Sequence, residues 1–75
     1  MKEKHINKLR LIGLKISYYR KLKGISQAEL AERIDVSRTQ MSRMETALCE
    51  APVHVLLDIS EVLDIDIRDL FDFNS

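Results

Sequence analysis

Two short segments fix what the stretch between them can be. Ser26-Gln27-Ala28-Glu29 and Ser37-Arg38-Thr39-Gln40 each place a hydroxyl three residues ahead of a Glu or Gln. This is the capping-box pattern: the hydroxyl accepts the N3 amide, and the N3 side chain reaches back to the cap amide. Ile25 with Leu30, and Val36 with Met41, stand around the two boxes as hydrophobic staples. Each cap contributes about 1 kcal/mol. Two helices are expected, over about 27–34 and 38–45, with Asp35, Val36 and Ser37 between them. The chain must turn a corner there, so a single long helix is excluded.

The rest of the chain repeats helical spacing. Leu9, Ile12, Ile16 and Tyr19 step by three and four along a first helix of about 6–23, and Gly24 follows its last turn. A fourth helix, about 52–63, starts near Pro52 and turns Leu56, Ile59 and Leu63 inward. A short fifth, about 67–72, is started by Asp66, with Ile65 and Leu70 as its staple. The linkers Ile34-Asp35-Val36-Ser37 and Leu63-Asp64-Ile65-Asp66 share one form: apolar, Asp, apolar, cap. In each, the Asp is expected in the left-handed region, which a short polar side chain tolerates. Residues 1–5 and 73–75 are expected to fray. The fold class is therefore all-α, a compact bundle of five helices.

Seventy-five residues suit a single domain, 1–75, whose own core is marginal, so a partner subunit is a natural source of stability. The lone cysteine, Cys49, rules out an intramolecular disulfide and fits a reducing compartment. The polar start, Met1 to His5, is not expected to act as a signal peptide. The apolar stretch Val53 to Leu57 is too short to span a bilayer. A cytoplasmic protein is expected. Net charge is zero but strongly polarised. Residues 1–24 carry eight Lys/Arg and one acid, whereas residues 51–75 carry one Arg and six acids. One basic face for a polyanion and one acidic face turned away would account for this, as would a plain solvated surface.

The spacing of apolar and small residues makes the pair of capped helices more than a plain helical corner. Leu30, Ile34, Val36, Met41 and Met44 share one core, and Ala31 is small where two helices crossing at a steep angle must approach. Gln27-Ala28-Glu29-Leu30-Ala31-Glu32-Arg33-Ile34, Val36-Ser37-Arg38 and Ser42-Arg43-Met44-Glu45 resemble the Cro and phage-repressor type of helix-turn-helix regulator, the xenobiotic-response-element family. The resemblance continues through Leu56-Leu57-Asp58-Ile59 and Leu63-Asp64-Ile65 to Asp69-Leu70-Phe71, covering about residues 12–71.

That resemblance implies a lambda-repressor-like domain and a dimeric, sequence-specific regulator of double-stranded DNA, with the helix at 38–45 in the major groove. Recognition helices read base edges chiefly from their N-terminal residues. Arg38, Thr39 and Gln40, with Ser42 and Arg43 one turn on, are the expected base readers. Arg38 and Arg43 lead, because an arginine can take guanine O6 and N7 together. Ser26, Gln27, Ser37, Thr46, Lys15 and Lys23 are the expected phosphate contacts, and Arg20 and Lys21 could add to them. In the family, an Arg closing the first helix pairs with a Glu closing the recognition helix. This implies a structural brace between Arg20 and Glu45, whose acid is then not catalytic.

Two departures stand out. Asp35 replaces the usual turn glycine. The stretch Thr46-Ala47-Leu48-Cys49-Glu50-Ala51 lacks the usual Gly and Lys/Arg, which points to fewer phosphate contacts. Leu48 either joins a second subunit or tucks into the core. Leu48, Val53, Val55 and Phe73 are the candidates for a dimer surface near the acidic C-terminal half. The competing reading is an antitoxin-like or controller protein whose main partner is a polypeptide. An enzyme is not expected: His5, His54 and Cys49 are single residues in unrelated segments, and no metal spacing or phosphate loop occurs. No cofactor, metal, membrane or small-molecule ligand is expected.

Overall fold

The structure, a computed structural model, describes residues 3–73. A 3-10 turn, Glu3–His5, leads into α1, Ile6–Leu22. Then follow α2 (Gln27–Arg33), α3 (Arg38–Glu45), α4 (Val53–Leu63) and a C-terminal 3-10 turn, Ile67–Phe71. α2 and α3 pack closely on one another, α1 lies across α3 and the C-terminal turn, and α4 supports both α1 and α2.

The caps act largely as the sequence predicts. Ser26 Oγ accepts the Glu29 amide and Ser37 Oγ accepts the Gln40 amide, each at 3.0 Å. Glu29, however, turns its carboxylate to Arg33 Nη2 at 2.8 Å, one turn along α2, instead of back to the cap. The reciprocal box is complete at the C-terminal turn, where Asp66 caps and Asp69 Oδ2 accepts the Asp66 amide at 3.3 Å.

All four α-helices end by the same device. The first residue past the helical turn adopts positive φ, and the next amide reaches back five residues, which is the Schellman closure. The positive-φ residues are Gly24 (72°), Asp35 (59°), Ala47 (60°) and Asp64 (54°). The long return bonds run from Ile25 to Arg20 O at 3.0 Å, Val36 to Ala31 O at 3.0 Å, Leu48 to Arg43 O at 2.8 Å and Ile65 to Ser60 O at 3.0 Å. Asp35 and Asp64 therefore take the left-handed conformation expected of them. Ala47 was not anticipated there, because alanine carries no polar group to mark such a position.

Some boundaries move. The fifth helix is a 3-10 turn rather than an α-helix, since five residues form i→i+3 bonds more readily than a complete α turn, as from Asp69 to Asp66 O at 2.9 Å. Pro52 is the N-cap of α4, one place ahead of the first turn. Glu3–His5 form a turn instead of fraying, whereas Met1, Lys2, Asn74 and Ser75 lie outside the described residues.

The core is assembled from every α-helix. Ile16, Leu30, Ala31, Ile34, Met41, Met44, Val55, Leu56, Ile59, Leu63 and Leu70 form one buried cluster, with Ile12, Tyr19, Ile25 and Val36 packed at its edge. Val55 is 5% exposed. It serves this core and is withdrawn as a dimer contact, because a side chain cannot fill its own core and a partner's surface together. Leu48 is the reverse case: at 73% exposed it does not tuck in. The Schellman closure swings it outward.

Candidate nucleic-acid interface

α3 divides cleanly into an inner and an outer side. Met41, Met44 and Glu45 are buried, so Thr39 and Arg43, one turn apart, occupy the middle of the exposed side. Arg38 and Ser42 border them on one flank and Gln40 on the other. Arg38, Thr39 and Arg43 are exposed, whereas Gln40 and Ser42 are half-buried. The structure brings Ser37, Thr39, Gln40 and Arg43 around one open recess of about 390 Å³, closed on its far side by Cys49, Glu50 and Pro52. Glu50 is thus part of the outward surface beside α3. In the sequence this loop shows one acid and no basic residue, but nothing in local spacing says which way Glu50 faces.

What holds α3 in place is a buried polar brace. Arg20 Nε donates to Glu45 Oε2 at 2.8 Å and Nη2 to Oε1 at 3.1 Å, a two-pronged pair. Nη1 donates to the Ile25 carbonyl at 2.9 Å. Both side chains are under 10% exposed. Gln27 completes the set: its Nε2 donates to Glu45 Oε1 at 3.0 Å. The brace therefore ties the end of α1, the start of α2 and the end of α3 together. Removing one partner would leave the other charge buried and unmatched, at about 3–5 kcal/mol.

Gly13 is the second fixture, and sequence reasoning missed it. A Cβ built there would lie 2.7 Å from the Glu45 carbonyl carbon and 2.8 Å from Met44 O, and closer still to Glu45 O. These are backbone atoms at the close of α3, so nothing can yield cheaply. The available signal was the glycine itself, which is costly in mid-helix unless a close approach requires it.

The candidate phosphate contacts differ in what they have left to give. Ser26 and Ser37 accept through Oγ, so each hydroxyl hydrogen stays available to donate. Gln27 has given one amide hydrogen to Glu45 and keeps the other. Thr46 gives its hydroxyl hydrogen to Ser42 O at 2.8 Å, so a phosphate contact would require that bond to be given up. Lys23 is exposed at the C-cap of α1, and Lys15 is half-buried on the same helix. Among the described residues, no group of three or more His, Cys, Asp or Glu is placed to hold a metal ion, and no helix is long and apolar enough to cross a membrane.

Comparison with known proteins matches this arrangement to established ones. The helix-turn-helix family model matches residues 16–70. The HTH-type transcriptional regulator SinR of Bacillus subtilis is 40% identical over 63 residues, covering 83% of this chain and 57% of SinR. The chain thus spans little more than half the length of that curated relative. A crystal structure of SinR, the master regulator for biofilm formation, in complex with DNA superposes with a TM-score of 0.75 at 40% identity. It covers 81% of this chain and 98% of that one. The restriction-modification controller protein C.AhdI from Aeromonas hydrophila superposes with a TM-score of 0.84 at 28% identity, covering 89% of this chain and 97% of its own.

Proposed function

The chain belongs to the helix-turn-helix family, and from that premise we propose that it is a sequence-specific regulator of transcription that reads double-stranded DNA through α3. The observation that carries this reading is the outer side of α3, where Thr39 and Arg43 stand exposed on a helix fixed by a buried three-residue brace. A reading helix must be rigid, because misplaced donors lose their bases. SinR, 40% identical to this chain, has been crystallised in complex with DNA.

In this reading α3 lies in the major groove. Arg43 and Arg38 read guanine, with Thr39, Gln40 and Ser42 in support. Ser26, Gln27, Ser37, Lys15, Lys23 and, once its bond to Ser42 is given up, Thr46 meet phosphates. The regulator works in the cytoplasm as a homodimer on a near-palindromic site, its two α3 helices about 34 Å apart. Leu48 and Val53, 73% and 65% exposed, remain candidates for the subunit contact, and Leu57 extends Val53 by one turn. Phe73 is half-buried and can contribute only an edge.

Selection of bound duplexes from a random pool, followed by titration of variants, tests the proposal. Arg43→Ala is expected to cost about 1–3 kcal/mol on the selected site and to relax preference at one base position. Equal weakening on every duplex would mark Arg43 as a phosphate contact instead. Failure of the natural chain to bind any duplex at low salt would favour the second reading, a controller or antitoxin-like protein acting through a polypeptide. An exposed apolar stripe on α1 is the feature that speaks for such a partner.

A further inference from the structure

α1 has two apolar faces, and the fold uses only one. Ile12, Gly13, Ile16, Tyr19 and Arg20 turn towards the core or the brace. On the opposite side Leu11, Leu14, Tyr18 and Leu22 follow at spacings of three, four and four, which places them in one stripe about three turns long. They are 39%, 62%, 58% and 64% exposed. Single surface leucines are ordinary, but a continuous ridge of four large side chains marks an interaction surface. At Leu14 the ridge adjoins a mostly apolar recess of about 250 Å³, shared with Arg10, Glu45 and Thr46, into which a partner's side chain can fit.

The charges that α1 itself carries are of one sign. Lys8, Arg10 and Lys21 are exposed along the edges of the ridge, with Lys15 half-buried among them, and α1 contains no Asp or Glu. The three-then-four spacing is that of a helix-pairing seam, where flanking charges choose the partner. A second copy of this chain laid on the same ridge would set basic residues against basic residues. Charge complementarity selects an acidic partner instead.

We propose that the outer face of α1 docks an amphipathic helix of another protein, whose apolar ridge lies along Leu11, Leu14, Tyr18 and Leu22 and whose flanking carboxylates meet Lys8, Arg10 and Lys21. The ridge holds none of the residues assigned to base reading or to the subunit contact, but Lys15 beside it and Thr46 in the recess are among the proposed phosphate contacts. Its occupant would therefore leave base reading and the subunit contact in place and compete only for those two phosphate contacts.

The test uses the full chain and a synthetic helical peptide with leucine at its seam positions and glutamate on both flanks. Isothermal titration is expected to give micromolar binding that weakens as salt rises, and no binding of the same peptide with lysine for glutamate. The double variant Leu14→Gln, Tyr18→Gln should bind the peptide about tenfold or more weakly, with its affinity for duplex DNA unchanged and its melting temperature lowered only by the few degrees that loss of the Tyr18–Tyr19 edge-to-face contact accounts for. Arg10→Glu gives an independent check, since charge reversal should weaken the glutamate peptide and admit the lysine one. Unchanged peptide affinity in these variants, or equal binding of both peptides, would overturn the proposal. So would self-association that the double variant abolishes, which would make a second copy the occupant. Adsorption to phosphatidylglycerol vesicles without peptide binding would assign the ridge to a lipid surface.

Discussion

Three of the four residues that close α-helices at positive φ are not glycine, and they do not stand in equivalent surroundings. Asp35 is exposed and lines an open recess with Arg33, Asp58 and Glu61. Glycine would relieve the left-handed strain at no loss of buried contact. Asp35→Gly is expected to stabilise the fold by about 0.5–1 kcal/mol, which raises the melting temperature by a few degrees in a domain this small. Ala47 has similar strain, with φ of 60°, but is only 7% exposed. Its buried methyl is worth about 0.8 kcal/mol, which offsets the relief, so Ala47→Gly should leave stability nearly unchanged. Thermal unfolding of the two variants side by side checks the ranking. Equal gains would mean that the methyl contributes nothing.

At the scale of elements, the position of α3 depends on α1. A methyl at position 13 meets the backbone at Met44 and Glu45, so α3 can accommodate Gly13→Ala only by moving away. Overpacking of this kind costs about 1–3 kcal/mol. The same displacement pulls Glu45 from Arg20 and Gln27, so duplex affinity should fall by more than the stability loss explains when both are measured below the melting transition. The C-terminal turn has its own control. Hydrogen bonds from the Arg68 side chain, with help from its backbone amide, hold the Asp66 carboxyl at about 2, below its ordinary 3.8. A carboxyl lowered on folding stabilises the protein above the unfolded value, and that contribution is lost as pH falls through the folded one. The natural chain should therefore lose stability between about pH 4 and pH 2 in part through this turn. Asp66→Asn should flatten that limb in unfolding midpoints measured across the same range, and an unchanged limb would assign the acid sensitivity elsewhere.

Across the whole molecule, charge is less simply divided than its distribution along the chain suggests. The basic N-terminal helix packs directly on the C-terminal turn, which carries Asp69 beside Arg68 and is flanked by Asp66 and Asp72. Burial pushes the Tyr19 phenol up, and Asp69, Tyr18 and Asp72 add to the effect. The acidic half is therefore not wholly turned away from the basic one. Nor is the surface beside α3 uniformly suited to phosphate, because Glu50 borders the recess that holds Thr39 and Arg43. Glu50→Lys should strengthen binding to unrelated duplexes and steepen the dependence of log K on log salt by about 1, the effect of one more neutralised phosphate. A slope equal to that of the natural chain would mean that Glu50 lies beyond the reach of DNA.

The all-α class, the corner at 35–37 and the staple residues follow from the sequence alone, because caps, turns and helical periodicity are set by neighbours within about five positions. The inward residues of α2, α3 and the later part of α4 were legible for the same reason. What the tertiary structure decided are the relations across long separations: that Gln27 joins Arg20 on Glu45, that Gly13 is where two helices touch, that Val55 turns in while Leu48 turns out, and that Glu50 faces the reading surface. α1 shows the limit most plainly. Its composition offers two apolar faces, and only the packing of the other helices against one of them leaves the second uncovered.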